Sequence, residues 1–409
     1  MSLKAQFTKC KVTGKKIPIV FNFGKMPIAN NFSKKLDKKN LYEMKIAFNE
    51  RNGLFQLVNA PKPKKLFNKN YAFLSSTSSA MKDHFKNVAE NIKKKITKKS
   101  KIMEIGCNDG IFLQNFKDYD HLGIEPSKNV YKIAKSKNLK IINSFFTKEL
   151  VSKKKLNDNI KIIFAANVIC HIPNILSLFK CIELSLKQDG YFIFEEPYLG
   201  SMLEKTSYDQ IYDEHFYMFS ANSIKSILEK FNLKLVNAER IPTHGGSMRY
   251  YVKKTNSDVI SSKLKKILDY EKKIQITKIK TIKKFARNCV NSKKRILKII
   301  DKIKKINSDI YGYGATSKST TILHFCNIKD ELISGIFDNT PTKINKYFPA
   351  KKIKIIDYKN FKNIKPKYCF LFAWNHYNEI FKKEKKNSIK WLCHIDKKHF
   401  PKNVRQNFI

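Results

Sequence analysis

The chain has 409 residues, enough for two or three domains each with its own core, and its 42% hydrophobic content is that of a folded protein. No window approaches about 18 uninterrupted apolar residues and residues 1–16 are polar and basic, so neither a membrane span nor a signal peptide is expected. The net charge of +48 does not point to nucleic acid: only six of the 82 basic residues are arginine, the side chain suited to bidentate base and phosphate contacts, and the lysines run through nearly every segment as solvated faces.

Residues 1–80 carry short apolar runs at 17–23, 44–48 and 54–58, with a turn from Asn49 to Gly53, which predicts a small, irregular β-rich module. Over 81–96 the apolar residues Met81, Phe85, Val88, Ile92 and Ile96 fall at helical spacing. From Lys101 strands and helices alternate. Strands are expected at 101–105, 121–125, 140–142, 161–165 and 191–195, a helix start at 110–116, and an amphipathic helix at 175–186. That rhythm predicts an α/β fold with a parallel sheet covered by helices on both faces. Residues 257–306 are almost free of Gly and Pro and read as one long or two medium helices. Residues 310–395 repeat the α/β rhythm, with strands at 310–315, 332–338, 368–373 and 391–395 and a helix from about Ser317. The expected divisions are 1–80, 81–252 and 253–409. The eight cysteines are scattered with no CxxC pair, as in a reduced cytoplasmic protein with free thiols.

Two motifs carry chemistry. Glu104-x-Gly106-x-Asn108-Asp109-Gly110 follows a strand, and glycines there let backbone approach a ligand closely. Gly123-Ile124-Glu125-Pro126 ends the next strand with a carboxylate, where such folds hold ribose hydroxyls. The loop lacks the third glycine of a pyrophosphate-binding fingerprint, which favours a phosphate-free nucleoside. S-adenosylmethionine fits, with Glu104 and Asp109 suited to its cationic sulfonium and amine. The second motif, Tyr212-Asp213-Glu214-His215, concentrates a phenol, two carboxylates and an imidazole. A histidine can remove a proton, a neighbouring carboxylate can fix its tautomer, and a tyrosine can donate to a developing oxyanion. His171, ending a strand, and His244, before Gly245-Gly246-Ser247, are further candidates. Gly312-Tyr313-Gly314-Ala315-Thr316-Ser317-Lys318 could cradle a diphosphate or be a packing turn; it is not a P-loop. The positive field would steer an anionic substrate such as a sugar nucleotide.

Together these segments resemble the sugar C-methyltransferases that act on dTDP-4-keto-deoxyhexoses at C3. The match runs through Pro27-Ile28-Ala29-Asn30, Phe67 to Tyr71, Ser75-Ser76-Thr77-Ser78, the two cofactor motifs, Asn167-Val168 and His171. It continues through Glu195-Glu196-Pro197-Tyr198, the Tyr212–His215 cluster, His244 to Arg249, Tyr313-Gly314-Ala315 with Lys318, and Ala373-Trp374-Asn375. The resemblance implies a zinc-binding N-terminal module, a class I methyltransferase core and a C-terminal Rossmann-like domain. It implies S-adenosylmethionine held by Glu104, Gly106, Asn108, Asp109, Gly110, Glu125, Pro126 and Asn167. It implies a dTDP- or other NDP-4-keto sugar held between core and C-terminal domain by Ser75, Ser76, Tyr198, His244, Gly246, Ser247, Arg249, Tyr313, Gly314, Lys318, Trp374 and Asn375. His215 would take the proton, oriented by Glu214, with Tyr212, Tyr71 and His171 around it.

One departure stands out. The family's module carries two CxxC pairs for zinc, but here Cys10 stands alone, with Thr13 in its partner's place and Asn49 and Asn52 in the second pair's. Structural zinc takes about four Cys or His ligands, so no metal is expected. The competing expectations are O- or N-methylation of a sugar or other small molecule, and a basic RNA-binding or RNA-modifying protein, which would need arginine- or aromatic-rich patches. A monomer or weak oligomer is expected.

Overall fold

A computed structural model describes residues 6–37, 41–67, 74–77 and 79–409. Three sheets organise it. The strands, in chain order, are β1 (Phe7–Lys9), β2 (Lys16–Met26), β3 (Tyr42–Asn49), β4 (Leu54–Leu57), β5 (Lys101–Ile105), β6 (Asp120–Ile124), β7 (Ile141–Ile142), β8 (Ile160–Ala166), β9 (Leu186–Pro197), β10 (Tyr217–Met218), β11 (Lys234–Ile241), β12 (Ser247–Lys253), β13 (Ile310–Tyr313), β14 (Gly335–Asp338), β15 (Ile355–Asp357), β16 (Tyr368–Leu371) and β17 (Lys390–Leu392).

The N-terminal sheet runs β1-β2-β3-β4-β10 and is antiparallel. Its last strand comes from beyond His215, so the acid/base cluster is tied directly to the N-terminal sheet. At the position where the resemblance implies zinc, Asn49 Nδ2 donates to Cys10 Sγ at 3.1 Å and Asn52 Nδ2 lies 4.0 Å from it, while Asn49 also reaches Thr13 Oγ1 at 3.4 Å. Burial works against the Cys10 thiolate, but hydrogen bonds from Thr13 and Asn49 outweigh it and lower the pKa. One thiol among two amides and a hydroxyl does not fit a structural zinc ion.

The central sheet runs β11-β12-β9-β8-β5-β6-β7. The pairings β5–β6, β5–β8, β6–β7 and β8–β9 are parallel, as expected of strands separated by helical crossovers. Four of the five residues of β5 are buried, as in a strand covered on both faces. The expected parallel sheet carries an antiparallel edge: β12 is antiparallel to both β9 and β11. A short connection makes this reversal, with His244 (φ 54°), Gly245 (φ 87°) and Gly246 (φ 129°) all in left-handed territory. The expected helix after the glycine loop is a single 3₁₀ turn, Leu113–Phe116. The side chain of Asn115 bonds back to the carbonyls of Ile111 (3.1 Å) and Phe112 (2.9 Å), competing with the helical ladder.

Two helices, Ser262–Lys273 and Ile279–Lys305, lead to the C-terminal sheet, β15-β14-β13-β16-β17, which is entirely parallel. The strand expected at 332 begins at Gly335, because Asp330–Leu332 is a 3₁₀ turn. All three units meet at Phe325, on the helix Ser317–Phe325. Its ring lies 5.0 Å from Phe23 and 5.3 Å from Tyr208, both edge-on. Among the described residues no helix is long and apolar enough to cross a membrane.

Candidate active site

A cavity of about 320 Å³ lies where the central sheet faces the other two. It shares Asn30, Thr316, Lys343 and His376 with a larger cleft of about 2010 Å³ along the C-terminal sheet.

At one end the cavity is lined by Gly106, Asn108, Glu125, Pro126 and Asn167. Asn108 (φ 49°) and Asn167 (φ 55°) turn the backbone sharply at the strand ends. A Cβ on Gly106 would lie 2.5 Å from Val168, so only glycine fits there. Glu125 accepts from the backbone N–H of Asn108 (3.0 Å) and of Ser127 (2.7 Å), which fixes the loop onto the next strand. Ser75 lines the cavity and donates its N–H to Asn108 Oδ1 at 2.9 Å. Glu104, Asp109 and Gly110 lie beneath the loop and not on the cavity wall. Among the described residues Glu104 Oε2 and Asp109 Oδ1 are buried with no hydrogen-bond partner. Burial, then the charges of Asp109 and Glu125, push the Glu104 carboxyl well above the usual range. A carboxyl on the wall at Glu125, the close backbone approach at Gly106 and the lack of a phosphate cradle suit a phosphate-free nucleoside, so the residues fit S-adenosylmethionine.

At the other end four rings form a column. Phe67 stacks on His171 at 5.5 Å, His171 on His215 at 5.2 Å, and Tyr212 packs against His215 at 4.2 Å. His215 Nδ1–H donates to the carbonyl of Gln210 at 2.7 Å. A carbonyl can only accept, so the proton sits on Nδ1 and Nε2 keeps its lone pair. Burial, then the nearby His171 and Lys318, hold the His215 pKa well below the ordinary histidine value. The ring is therefore neutral and can accept a proton. His171 is likewise neutral, lowered to about 3 by burial.

The expected carboxylate partner of His215 is replaced by that backbone carbonyl. Glu214 instead accepts from Asn30 Nδ2 at 2.6 Å, and Asn30 Oδ1 accepts from Ser317 Oγ at 2.7 Å, joining the three units. Asp213 is fully buried and accepts from the Ala29 N–H at 3.2 Å; burial and the adjacent Glu214 raise its pKa well above the normal range. Gln210 Nε2 donates to the carbonyl of His244 at 2.5 Å. The preceding Asp209 accepts from Trp374 Nε1 (2.7 Å) and His394 Nε2 (2.9 Å), both on the C-terminal unit.

Cys170, His171 and His215 bring donor atoms within 4.8 Å of one another. The two imidazoles are close to parallel (28°), however, so their in-plane lone pairs do not converge. Burial and then Glu196 hold the Cys170 thiol protonated. The trio is poorly arranged for a metal.

His244, Lys318 and Asn375 line the small cavity, and Tyr313 and Gly314 line the large cleft. Six expected substrate-binding residues, Ser76 among them, lie on neither wall. Tyr198 donates its hydroxyl to Glu271 at 3.0 Å, Arg249 pairs with Glu195 at 2.6 Å, and Ser247 Oγ donates to the Thr243 carbonyl at 3.0 Å. Trp374 is pinned to Asp209 and packs on Gly245, and Gly246 faces Ser201. These residues shape the loop beneath the site. Ser76 is also off the wall, its N–H donating to Asp109 Oδ2 at 3.3 Å. Tyr71 lies outside the described residues. Gln210, Asn30, Lys343 and His376 were not expected. Asn30 had a signal in the Pro27–Asn30 segment, whereas Gln210 acts on His215 through a backbone carbonyl that any residue could supply.

A methyltransferase-domain model matches residues 77–238, and a C-methyltransferase C-terminal-domain model matches residues 242–395. The C-methyltransferase NovU of Streptomyces niveus is 25% identical over 375 residues, covering 90% of this chain and 89% of that protein. Two solved structures match at low similarity. An S-adenosylmethionine-dependent methyltransferase of Thermotoga maritima has 16% identity and TM-score 0.34, over 42% of this chain and 89% of that one. A magnesium protoporphyrin IX methyltransferase of Synechocystis PCC 6803 has 10% identity and TM-score 0.32, over 42% and 79%. The class I assignment rests on the domain model and the sheet, not on those scores.

Proposed function

We propose that this chain, an S-adenosylmethionine-dependent C-methyltransferase similar to NovU over most of its length, methylates a nucleotide-linked 4-keto-deoxysugar at the carbon beside the ketone. The observation that carries the reading is His215: a buried, neutral imidazole with its tautomer set by Gln210, lining the same cavity as the glycine loop, a cavity that shares wall residues with a larger cleft.

The bound cofactor supplies an electrophilic methyl group from the Gly106 end. The protein's own residues do the rest. The ketone acidifies the neighbouring C–H, and His215 Nε2 removes that proton. The imidazolium so formed keeps its Nδ1–H on the Gln210 carbonyl, so the ring does not turn as it charges. The nucleotide lies in the larger cleft, where Lys346 offers positive charge to a diphosphate. Asn30, on the wall of both spaces, keeps sugar and nucleotide sites in register. Alignment of carbanion and methyl contributes several kcal/mol, on the order of 7 or more in well-oriented systems.

The test is mass spectrometry of reactions with methyl-labelled S-adenosylmethionine and a panel of 4-keto sugar nucleotides, with NMR to locate the new methyl. A carbon-bound methyl on one such sugar is expected. Label found only on oxygen or nitrogen, or on none of the sugars, would refute the assignment.

A further inference from the structure

We infer that Lys318 is a catalytic residue, the cation that receives the enolate oxygen when His215 takes the proton. This rests on the reading above that the substrate is a ketone. Removing the proton breaks the C–H bond; its electron pair becomes the C=C bond of the enolate, and the carbonyl pair moves onto oxygen. That oxygen needs a fixed positive partner at the moment of transfer.

Lys318 is the side chain so placed. It is 9% exposed and lines the small cavity with His215, His171 and Tyr212. Among the described residues its one hydrogen bond is a long one, to the His244 carbonyl at 3.4 Å. An ammonium has three N–H donors, so most of its capacity is unspent. Asp209, the carboxylate whose charge acts on it, has both oxygens engaged by Trp374 and His394. A buried ammonium with no carboxylate contact is costly, and an anion formed in the cavity would offset that cost. Other candidates do not suit. Lys343 spends its charge on the Ala315 carbonyl at 2.8 Å and over the Phe32 ring. His171 and His244 are held neutral by burial. Tyr212 can donate, but a donor without charge forms a weaker bond to an oxyanion than an ammonium does.

The base and the cation are set on one frame. Lys318 and the Gln210 amide share the His244 carbonyl, and the Gln210 carbonyl holds His215. Lys318 sits in the first turn of the helix Ser317–Phe325, which a Thr316/Ser319 capping box fixes. Burial lowers its pKa to about 8, opposed by the charge of Asp209. It is therefore charged at neutral pH and loses that charge as pH rises past about 8.

The experiment follows deuterium uptake from D₂O at the carbon beside the ketone, with S-adenosylhomocysteine bound so that no methyl is transferred. Lys318→Met should lower the exchange rate by about 10²- to 10³-fold while leaving cofactor affinity and melting temperature near wild type. Lys318→Arg should recover part of the loss. Wild-type exchange should fall above pH 8, and in Lys318→Arg that fall should move to higher pH, a change that a purely structural side chain would not cause. Exchange by Lys318→Met within about threefold of wild type would overturn the inference and leave the substrate reading standing. An alkaline limb unmoved in Lys318→Arg would also overturn it, whether or not the Met variant folds. Wild-type protein that exchanges no 4-keto sugar would contradict the substrate reading, and the inference with it.

Discussion

The cofactor loop and the acid/base cluster are built in opposite ways. Asn108 and Glu125 meet across 17 positions of sequence, within one strand–loop–strand unit. The cluster is held from far away: Glu214 by Asn30 across 184 positions, Asp209 by His394 across 185, and Asn30 by Ser317 across 287. A local unit keeps its geometry wherever it is placed, whereas the cluster exists only when all three sheets are docked. Damage to the docking contacts should therefore hit proton transfer and spare cofactor binding.

The largest expected effect is at the base itself. His215→Ala should cut turnover by on the order of 10³-fold, within the 10²–10⁴ range of general bases. Calorimetric titration with S-adenosylmethionine should stay unchanged, and a parallel loss of cofactor affinity would break the separation between the two regions. Next comes the buried Asp209. Asp209→Ala strands the buried N–H groups of Trp374 and His394, each costing about 1–3 kcal/mol when left unsatisfied, to be read as a lower denaturation midpoint. Asn30→Ala removes a hydrogen bond to the Glu214 carboxylate, a class of bond worth about 1.5–3 kcal/mol. It should lower kcat/KM about 10- to 100-fold with cofactor affinity intact.

Acid should weaken the fold through its histidines. Burial holds His171 at about 3 and His324 at about 4, and His215 and His244 well below normal. Below about pH 6.5 the unfolded chain takes up protons that the folded chain refuses. Stability then falls as pH falls, by about 1.4 kcal/mol per pH unit for each such group. The raised carboxyls of Glu104 and Asp213 act on stability with the opposite sign, so NMR shifts of the imidazole C–H protons followed from pH 7.5 to 5.5 check this, and titration of His171 or His215 in that range would contradict the buried, neutral state of the ring column. The smallest effect is expected at the N-terminal module, where EDTA should leave the melting temperature unchanged because the Cys10, Thr13, Asn49 and Asn52 cluster is held by hydrogen bonds.

Legibility in the sequence follows the same division. Glu104 to Gly110 and Glu125 could be read because spacing alone determines a strand-end loop, and His215 because its neighbours concentrate acid and base. What turns on distant partners could not be read. Tyr198, Arg249 and Trp374 have the chemistry of ligand contacts, yet their polar atoms go to Glu271, Glu195 and Asp209, and nothing local distinguishes the two fates. Strand β11 has no plain signature, because a bulge between Leu235 and Asn237 interrupts its alternation. The tautomer of His215 depends on a main-chain carbonyl, which has no residue signature.

The most direct measurement compares deuterium uptake beside the ketone by wild-type protein and by His215→Ala, both saturated with S-adenosylhomocysteine. Wild-type uptake with almost none in the variant, at equal cofactor affinity, is the expected result. Uptake by His215→Ala at the wild-type rate would contradict the assignment of His215 as the base.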